Sequence, residues 1–114
     1  MKTKKVFFSF KGKRFSFDAR KCSVLSSGLM FRSSKTKPCL FEFERPRKFK
    51  ITSLFVFFPF VAVWLDERNK IVDVKIVRPF TFEISPSRPF KKLLEVPVNK
   101  KNLKAVHSLV GRKI

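Results

Sequence analysis

Apolar and polar residues alternate along much of this chain, which is the pattern of β-strands with one covered face. Val6–Phe10 and Arg14–Phe17 alternate in this way on either side of Lys11-Gly12-Lys13. They predict a hairpin in which Gly12 takes the positive φ angle of the turn. Further strands are predicted at Cys39–Glu44, Ile71–Val77 and Lys92–Val96.

The most apolar stretch lies in the middle of the chain. Phe49–Asp66 has too few polar residues for a strand with one solvated face, so it is predicted to be central and covered on both faces. Pro59 cannot donate to a ladder, so we expect it to divide the stretch into two strands or mark a bulge. Leu54–Leu65 is predicted to be the least exposed segment, and it is shorter than the roughly 20 residues of a membrane helix.

Two short helices are predicted beside these strands. Asp18 is a suitable cap for a helix over Arg20–Ser27, and Gly28 suits its left-handed end. Asn99 is the expected cap of a second short helix near the end of the chain, with an apolar face formed by Leu103, Val106 and Val110. Loops or turns are predicted at Ser33–Pro38, Arg45–Lys48 and Glu67–Lys70.

Seven or eight strands with one or two short helices predict an all-β fold. The expected form is a compact two-sheet sandwich or a partly open barrel. The 114 residues have the length of one domain, and no repeat or linker divides them. Residues 1–114 are therefore predicted to form a single β-rich domain, and we expect a monomer.

Charge is the unusual property of the composition. The chain has 27 Lys and Arg against 8 Asp and Glu, a net charge of +19. Residues 1–50 carry +12, residues 51–74 carry −1 and residues 75–114 carry +8. Such charge attracts polyanions by counterion release, and it also keeps a Phe-rich chain soluble. The candidate polyanion-binding residues form three clusters: Lys11, Lys13 and Arg14; Arg45, Arg47 and Lys48; and Lys100, Lys101 and Lys104.

Aromatic residues are the second feature that bears on nucleic acids. The chain has 16 Phe, one Trp and no Tyr, and nearly every Phe stands at an alternating position that the core needs. Phe49, Phe80 and Phe90 stand outside this pattern beside basic residues or proline, where aromatic side chains can stack on bases.

Residue types needed for catalysis or metal binding are sparse. The only histidine, His107, lies among cations, and Cys22 and Cys39 stand 17 positions apart with no partner pair for zinc. No glycine-rich phosphate loop is present, so neither a metal nor a cofactor is predicted, and an enzyme is disfavoured. The basic start lacks a secretory apolar stretch, which favours the cytoplasm. There both thiols are expected to be buried and reduced, although a disulfide between them is geometrically feasible.

Several motifs in a fixed order resemble a known family. They are Gly28-Leu29-Met30-Phe31-Arg32, Leu54–Pro59, Val63–Asp66, Ile71–Val74 and Leu94–Pro97. Over about residues 5–114, this order is similar to the uncharacterised family named domain of unknown function 192. The resemblance implies a compact, mostly β fold with short helices and implies no established activity.

Two positions depart from that family's pattern. Members tend to carry His or Asn shortly before the Phe-rich strand and Asp two residues after the proline, where this chain has Thr52 and Val61. The resemblance therefore implies the loss of polar groups that a family active site needs.

Arg32, which closes the first motif, is the most interesting single cation. It is either held ready for a carboxylate or phosphate, or it ties its loop to a backbone carbonyl or to Asp66. A candidate small-ligand site comprises Arg32, Thr52, Trp64 and Asp66.

Three functions follow as hypotheses. The first is non-enzymatic binding of an acidic partner, RNA or single-stranded DNA or another polyanion, through the Lys and Arg clusters. The second is a small-ligand protein or enzyme with a pocket near Arg32, Thr52 and Trp64. The third is an interaction or structural role in which the charge serves solubility only.

Overall fold

Six strands and one helix form the protein in a computed structural model, which describes residues 3–22, 29, 32–48, 51, 56–81 and 83–111. The elements are β1 Thr3–Phe10, β2 Lys13–Cys22, β3 Cys39–Arg47, β4 Phe60–Leu65, β5 Ile71–Val77, β6 Phe90–Pro97 and α1 Leu103–Val110. The predicted mostly β class with a short helix is confirmed, although the described residues form six strands rather than seven or eight.

One mixed sheet contains all six strands in the order β1-β2-β3-β6-β4-β5. Only β2 and β3 pair in parallel, and all other neighbours are antiparallel. The sheet does not close into a barrel, but its edges approach each other, because Asn69 Nδ2 donates to the Phe7 carbonyl at 3.0 Å. The architecture is therefore a curled open sheet.

The central strand β4 is buried on both faces, as the apolar sequence predicts. Val61, Val63 and Leu65 belong to a core that includes α1 residues Val106 and Leu109, and we call this side of the sheet the helix face. The other side, the loop face, is covered mainly by irregular segments, and its core includes Phe60, Ala62, Trp64, Leu29, Phe58 and Ile84. Pro59 comes directly before β4, but residues 56–58 just before it form no strand, so the expected division into two strands is not seen there; residues 52–55 lie outside the described residues.

The first hairpin forms as predicted. Phe10 pairs with Lys13 across a two-residue turn in which Lys11 and Gly12 both have positive φ, 50° and 78°. Such turns match the right-handed twist of paired strands. The loop predicted over Ser33–Pro38 is also confirmed, since no helix or strand occupies it.

Two local predictions were wrong. The helix over Arg20–Ser27 does not begin at Arg20, because β2 continues to Cys22 and Arg20–Cys22 pair with the start of β3; residues 23–28 lie outside the described residues. The turn at Arg45–Lys48 is largely strand, since β3 continues to Arg47. A bulge between Trp64 and Leu65 turns Val72 toward the loop-face core, whereas Val74 packs on the helix face.

The last helix begins three residues later than Asn99 implies. Asn102 is the N-cap, and the Asn99 side chain instead accepts a hydrogen bond from the Asn102 amide at 2.9 Å. Val106 and Leu109 form the buried side, while Leu103 is partly exposed. Gly111 ends the helix with φ of 74°, and its amide donates to the His107 carbonyl.

The expectation of two reduced thiols was wrong. A disulfide joins Cys22, the last residue of β2, to Cys39, the first residue of β3. The parallel pairing brings the two strand ends side by side, with Cα atoms 6.0 Å apart, which a sequence spacing of 17 does not reveal. The bond closes the connection between the two strands.

Reduction of this disulfide is predicted to destabilise the protein. Closing a loop of 17 residues removes chain entropy from the unfolded state, so opening it should lower the free energy of unfolding by about 3 kcal/mol. Urea unfolding with and without a dithiol reductant measures this difference. The Cys22→Ser/Cys39→Ser variant is the control, because reductant should not change its unfolding curve. Two titratable thiols in denatured, non-reduced protein would contradict the disulfide.

Candidate functional site

An open cleft lies between the 33–38 loop and the start of α1. Its volume is about 810 Å³, and Phe17 and Ala105 supply apolar parts of its lining. Polar and charged groups come from three segments, namely Ser16 and Asp18 of β2, Ser34–Lys37 of the loop, and Asn99–Asn102. We call this the lysine cleft, because its lining includes Lys35, Lys37, Lys100 and Lys101.

Hydrogen bonds hold the two walls of the lysine cleft together. The Asn99 side chain donates to the Ser34 carbonyl at 2.7 Å, and the buried Asn102 side chain donates to the Pro97 carbonyl at 3.1 Å. The Arg20 amide donates to the Pro38 carbonyl at 2.8 Å, which fixes the loop where it enters β3. The backbone segments that carry the cleft lysines are therefore fixed by hydrogen bonds.

One carboxylate offsets part of the positive charge in the cleft. Lys37 forms an ion pair with Asp18 at 3.2 Å, between side chains that are both about half exposed. Surface pairs of this kind contribute little to stability. With Lys37 balanced by Asp18, Lys35, Lys100 and Lys101 remain as the excess charge of the cleft.

One contact at α1 links two of the three basic clusters predicted from the sequence. Lys13 of the first hairpin contacts the Ser108 hydroxyl of α1 at 3.5 Å. Ser108 lies one turn after Lys104, on the same side of the helix. Lys13 of the hairpin cluster thus adjoins the side of α1 that carries Lys104, while Lys11 lies beside β5 and the last turn of α1, and Lys100 and Lys101 line the lysine cleft.

The third cluster lies elsewhere. Only the first three residues of β3 pair with β2, so the Arg45–Lys48 end of the strand extends past β2 and pairs with the start of β6 instead. The sequence gives no means of separating this cluster from the other two.

A row of charged residues crosses the loop face. Successive pairing places Arg20 of β2 beside Cys39 of β3, Cys39 beside Glu95 of β6, and Glu95 beside Ala62 of β4. Arg20 and Glu95 are both buried, with 6% and 7% of their surfaces exposed. Sequence analysis missed Glu95, because a single Glu inside an alternating strand looks like an exposed position.

Burial sets the protonation of this row. It raises the pKa of the Glu95 carboxyl to about 8, and the positive charge of Arg20 opposes part of the rise. Burial also lowers the pKa of Arg20, as does the charge of Arg32, while Glu95 raises it. Arg32 is therefore close enough to the row to act on it electrostatically.

The residues of the candidate small-ligand site have different surroundings. Trp64 is fully buried in the loop-face core. Asp66 begins the β4–β5 turn and accepts hydrogen bonds from the Lys70 and Arg68 amides, which lower the pKa of its carboxyl. Arg32 lies near Arg20, and Thr52 lies outside the described residues. The Asp66 carboxylate is thus hydrogen-bonded within the β4–β5 turn.

The three Phe residues proposed for base stacking also differ. Phe80 is exposed, with its ring 5.6 Å from that of Phe57, which is exposed as well. Phe90 is buried in the loop-face core, so the prediction that its ring is available to stack on bases was wrong. Phe49 lies outside the described residues.

The part of the chain that the structure describes contains neither a metal-binding cluster nor a membrane-spanning helix. In this part of the chain, no three His, Cys, Asp or Glu side chains come together in a group that could hold a metal ion. None of the helices found there has the length and apolar character needed to cross a membrane.

Comparison with known proteins identifies the family. The profile of the family named DUF192, described as Uncharacterized ACR, matches residues 18–108. The chain belongs to the DUF192 family. The family resemblance predicted from the ordered motifs is therefore confirmed. None of the curated proteins matches this DUF192 chain.

Two solved structures share the fold of this DUF192 protein. One is a protein of unknown function from Novosphingobium aromaticivorans DSM 12444, with a TM-score of 0.73, 14% identity and coverage of 90% of this chain and 77% of that one. The other, from Sinorhizobium meliloti 1021, is described as a candidate transcription regulator; its TM-score is 0.71, with 18% identity and coverage of 88% and 81%. These similarities establish the fold alone.

Glu95 is predicted to make the protein less stable as the pH rises. Its pKa is about 8 in the folded protein against an ordinary value of 4.5, so the folded state binds more protons between these values. The free energy of unfolding should therefore fall from about pH 4.5 to about pH 8, by at most about 1.4 kcal/mol per pH unit. Urea unfolding of the wild type and Glu95→Gln across this range isolates the effect.

Glu42 provides a matched control of opposite sign. Burial raises the pKa of Glu42, but the hydrogen bond and charge of Lys4, together with the charges of Lys92 and Lys21, hold the pKa below its ordinary value. Glu42→Gln should therefore alter the pH profile only at acid pH, where the wild-type carboxylate is protonated. A difference between wild type and Glu95→Gln that does not change with pH would contradict the buried carboxyl.

Proposed function

We propose that this protein binds single-stranded RNA or DNA, or a like polyanion, without sequence specificity and without catalysis. The observation that carries the proposal is the lysine cleft, in which four lysines and one aspartate line a single open cavity. Lys104 follows this wall of the cleft in α1, and Lys13 reaches Ser108 one turn further along the helix, so a polyanion can extend from the cleft along this side of α1. Each phosphate that a lysine neutralises releases counterions and contributes affinity.

The type of cation supports the non-specific form of the proposal. The chain has 18 Lys and 9 Arg, and all four basic side chains of the cleft are lysines. Lysine acts as a point charge on phosphates, whereas bidentate reading of a guanine base usually takes arginine. The surface is therefore suited to a phosphate backbone.

The disulfide bears on the compartment. Disulfides persist mainly in oxidising compartments, and intracellular proteins of hyperthermophiles are the main exception. We propose an oxidising compartment or a thermophilic cytoplasm in place of the ordinary cytoplasm that the sequence predicts. The thiol count described above tests the disulfide on which this proposal rests.

Binding is predicted to depend steeply on salt and on the lysine cleft. A labelled oligonucleotide should bind with Kd of roughly 10⁻⁴–10⁻⁶ M at physiological salt, and log K should fall linearly with log salt. The variant Lys35→Gln/Lys100→Gln/Lys101→Gln should bind about tenfold or more weakly and reduce the salt slope by up to about 2. Fluorescence anisotropy at about 50 and 200 mM salt measures both quantities.

A variant with the same change in charge is the control. Arg45→Gln/Lys48→Gln/Arg68→Gln removes three exposed cations outside the cleft, and it should lose less affinity than the cleft variant. Equal losses would show attraction to the whole surface instead of binding at the cleft. No binding by the wild type at the lower salt would leave the charge as an aid to solubility.

A further inference from the structure

Two exposed aromatic rings form a pair outside both cores. The ring centroids of Phe57 and Phe80 are 5.6 Å apart and their planes meet at 68°, an edge-to-face contact. The two residues remain 58% and 53% exposed. Neither is needed to fill the core, and both present ring surface to solvent.

The backbone at Phe80 is unfavourable for a bulky side chain. Its φ angle is +60°, in a turn that follows Pro79 and in which the Thr81 hydroxyl donates to the Arg78 carbonyl at 2.8 Å. Gly or Asn is the usual residue at a positive φ position after proline in a turn. A Phe here has a conformational cost, and outliers of this kind concentrate at functional sites.

The aromatic pair and one wall of the lysine cleft lie at the same end of β4, where Phe60 pairs with Pro97. Phe57 stands two residues before Pro59, and the Pro59 carbonyl accepts a hydrogen bond from the Val98 amide at 3.0 Å. Val98 is followed directly by Asn99 and Lys100 of the cleft wall. With about 3.5 Å or less per residue, the backbones of Phe57 and Lys100 lie within roughly 20 Å of each other.

We propose that Phe57 and Phe80 form a stacking platform for the bases of a single nucleic-acid strand whose phosphates lie in the lysine cleft. This inference rests on the proposed function and narrows its ligand from polyanions in general to single-stranded nucleic acid. Every base has a π face, so stacking on Phe adds affinity without reading sequence. The lysines contribute affinity by attracting phosphates, and this contribution depends on salt. The contribution of bases that stack on Phe does not depend on salt.

The experiment uses three probes and a double variant. The probes are labelled oligothymidylate of about 12 nucleotides, an abasic strand of the same length, and inorganic polyphosphate. Phe57→Ala/Phe80→Gly should bind oligothymidylate roughly 5- to 30-fold more weakly at both salt concentrations, with the salt slope unchanged. Its binding of the abasic strand and of polyphosphate should equal that of the wild type.

Two further variants control for folding and for exposed Phe in general. Glycine tolerates the positive φ at position 80, so urea unfolding of Phe80→Gly should show no loss of stability. Phe7 is 61% exposed and pairs with Ser16 of the cleft lining, so Phe7→Ala tests whether any exposed Phe near the lysines adds affinity; it should weaken binding of oligothymidylate less than Phe57→Ala/Phe80→Gly does. Phe57→Trp, which keeps a stacking ring, should bind at least as well as the wild type.

Each result has one meaning. Wild-type affinity of Phe57→Ala/Phe80→Gly for oligothymidylate overturns the platform and leaves polyanion binding intact; the pair would then serve another occupant, such as an apolar protein surface. Equal wild-type affinity for the base-bearing and abasic strands also overturns it. Failure of all three probes to bind the wild type contradicts the proposed function itself.

Discussion

The burial of β4 on both faces is the constraint on which the rest of the structure depends. A strand of six apolar residues between β5 and β6 must be covered by α1 on one side and by irregular segments on the other. This places Pro59 and Val98 together at one end of the strand, where a backbone hydrogen bond joins them. The lysine cleft and the aromatic pair lie on either side of that bond. Because the core strand supplies almost no charge, the basic segments before and after it must form most of the surface.

The same constraint explains why charge appears within the loop face. Apolar side chains from β4 fill the centre of this face, but its row of paired positions continues through β6, β3 and β2 to Glu95, Cys39 and Arg20. Desolvation opposes the ionised form of a carboxyl in such a position, and one nearby guanidinium offsets only part of that cost. The row therefore combines a weakly acidic Glu, a buried Arg and a disulfide at the junction of β2 and β3. We therefore expect stability to depend on pH through Glu95 and on reductant through the disulfide.

Periodicity predicts strands here wherever both the alternation and its ends are local. The first hairpin, β3, β4, β5 and β6 were all predicted, because each is marked by alternating or wholly apolar residues and by Gly or Pro at its boundary. The helix at Arg20 failed because parallel pairing with β3, a contact between residues about 20 positions apart, outweighed the capping signal at Asp18. The prediction of two reduced thiols failed for the same reason, because this parallel pairing brings Cys22 and Cys39 together. The lysine cleft could be predicted only in part: Lys100 and Lys101 stand in a run of cations, whereas Lys35 and Lys37 join them through the Asn99–Ser34 hydrogen bond.

Charge and exposed aromatic rings together support binding of single-stranded nucleic acid more strongly than either feature does alone. A net charge of +19 attracts any polyanion, and an exposed Phe pair can pack against any apolar surface. Single-stranded nucleic acid is the ligand class that offers both partners at once, because its phosphates and its unpaired bases follow each other along one chain. The backbone of Phe80 adds a physical reason to look there, since packing does not require a ring at a position where glycine is easier to accommodate. A chain that used charge for solubility alone would have no need to keep that ring at the same end of β4 as the cleft lysines.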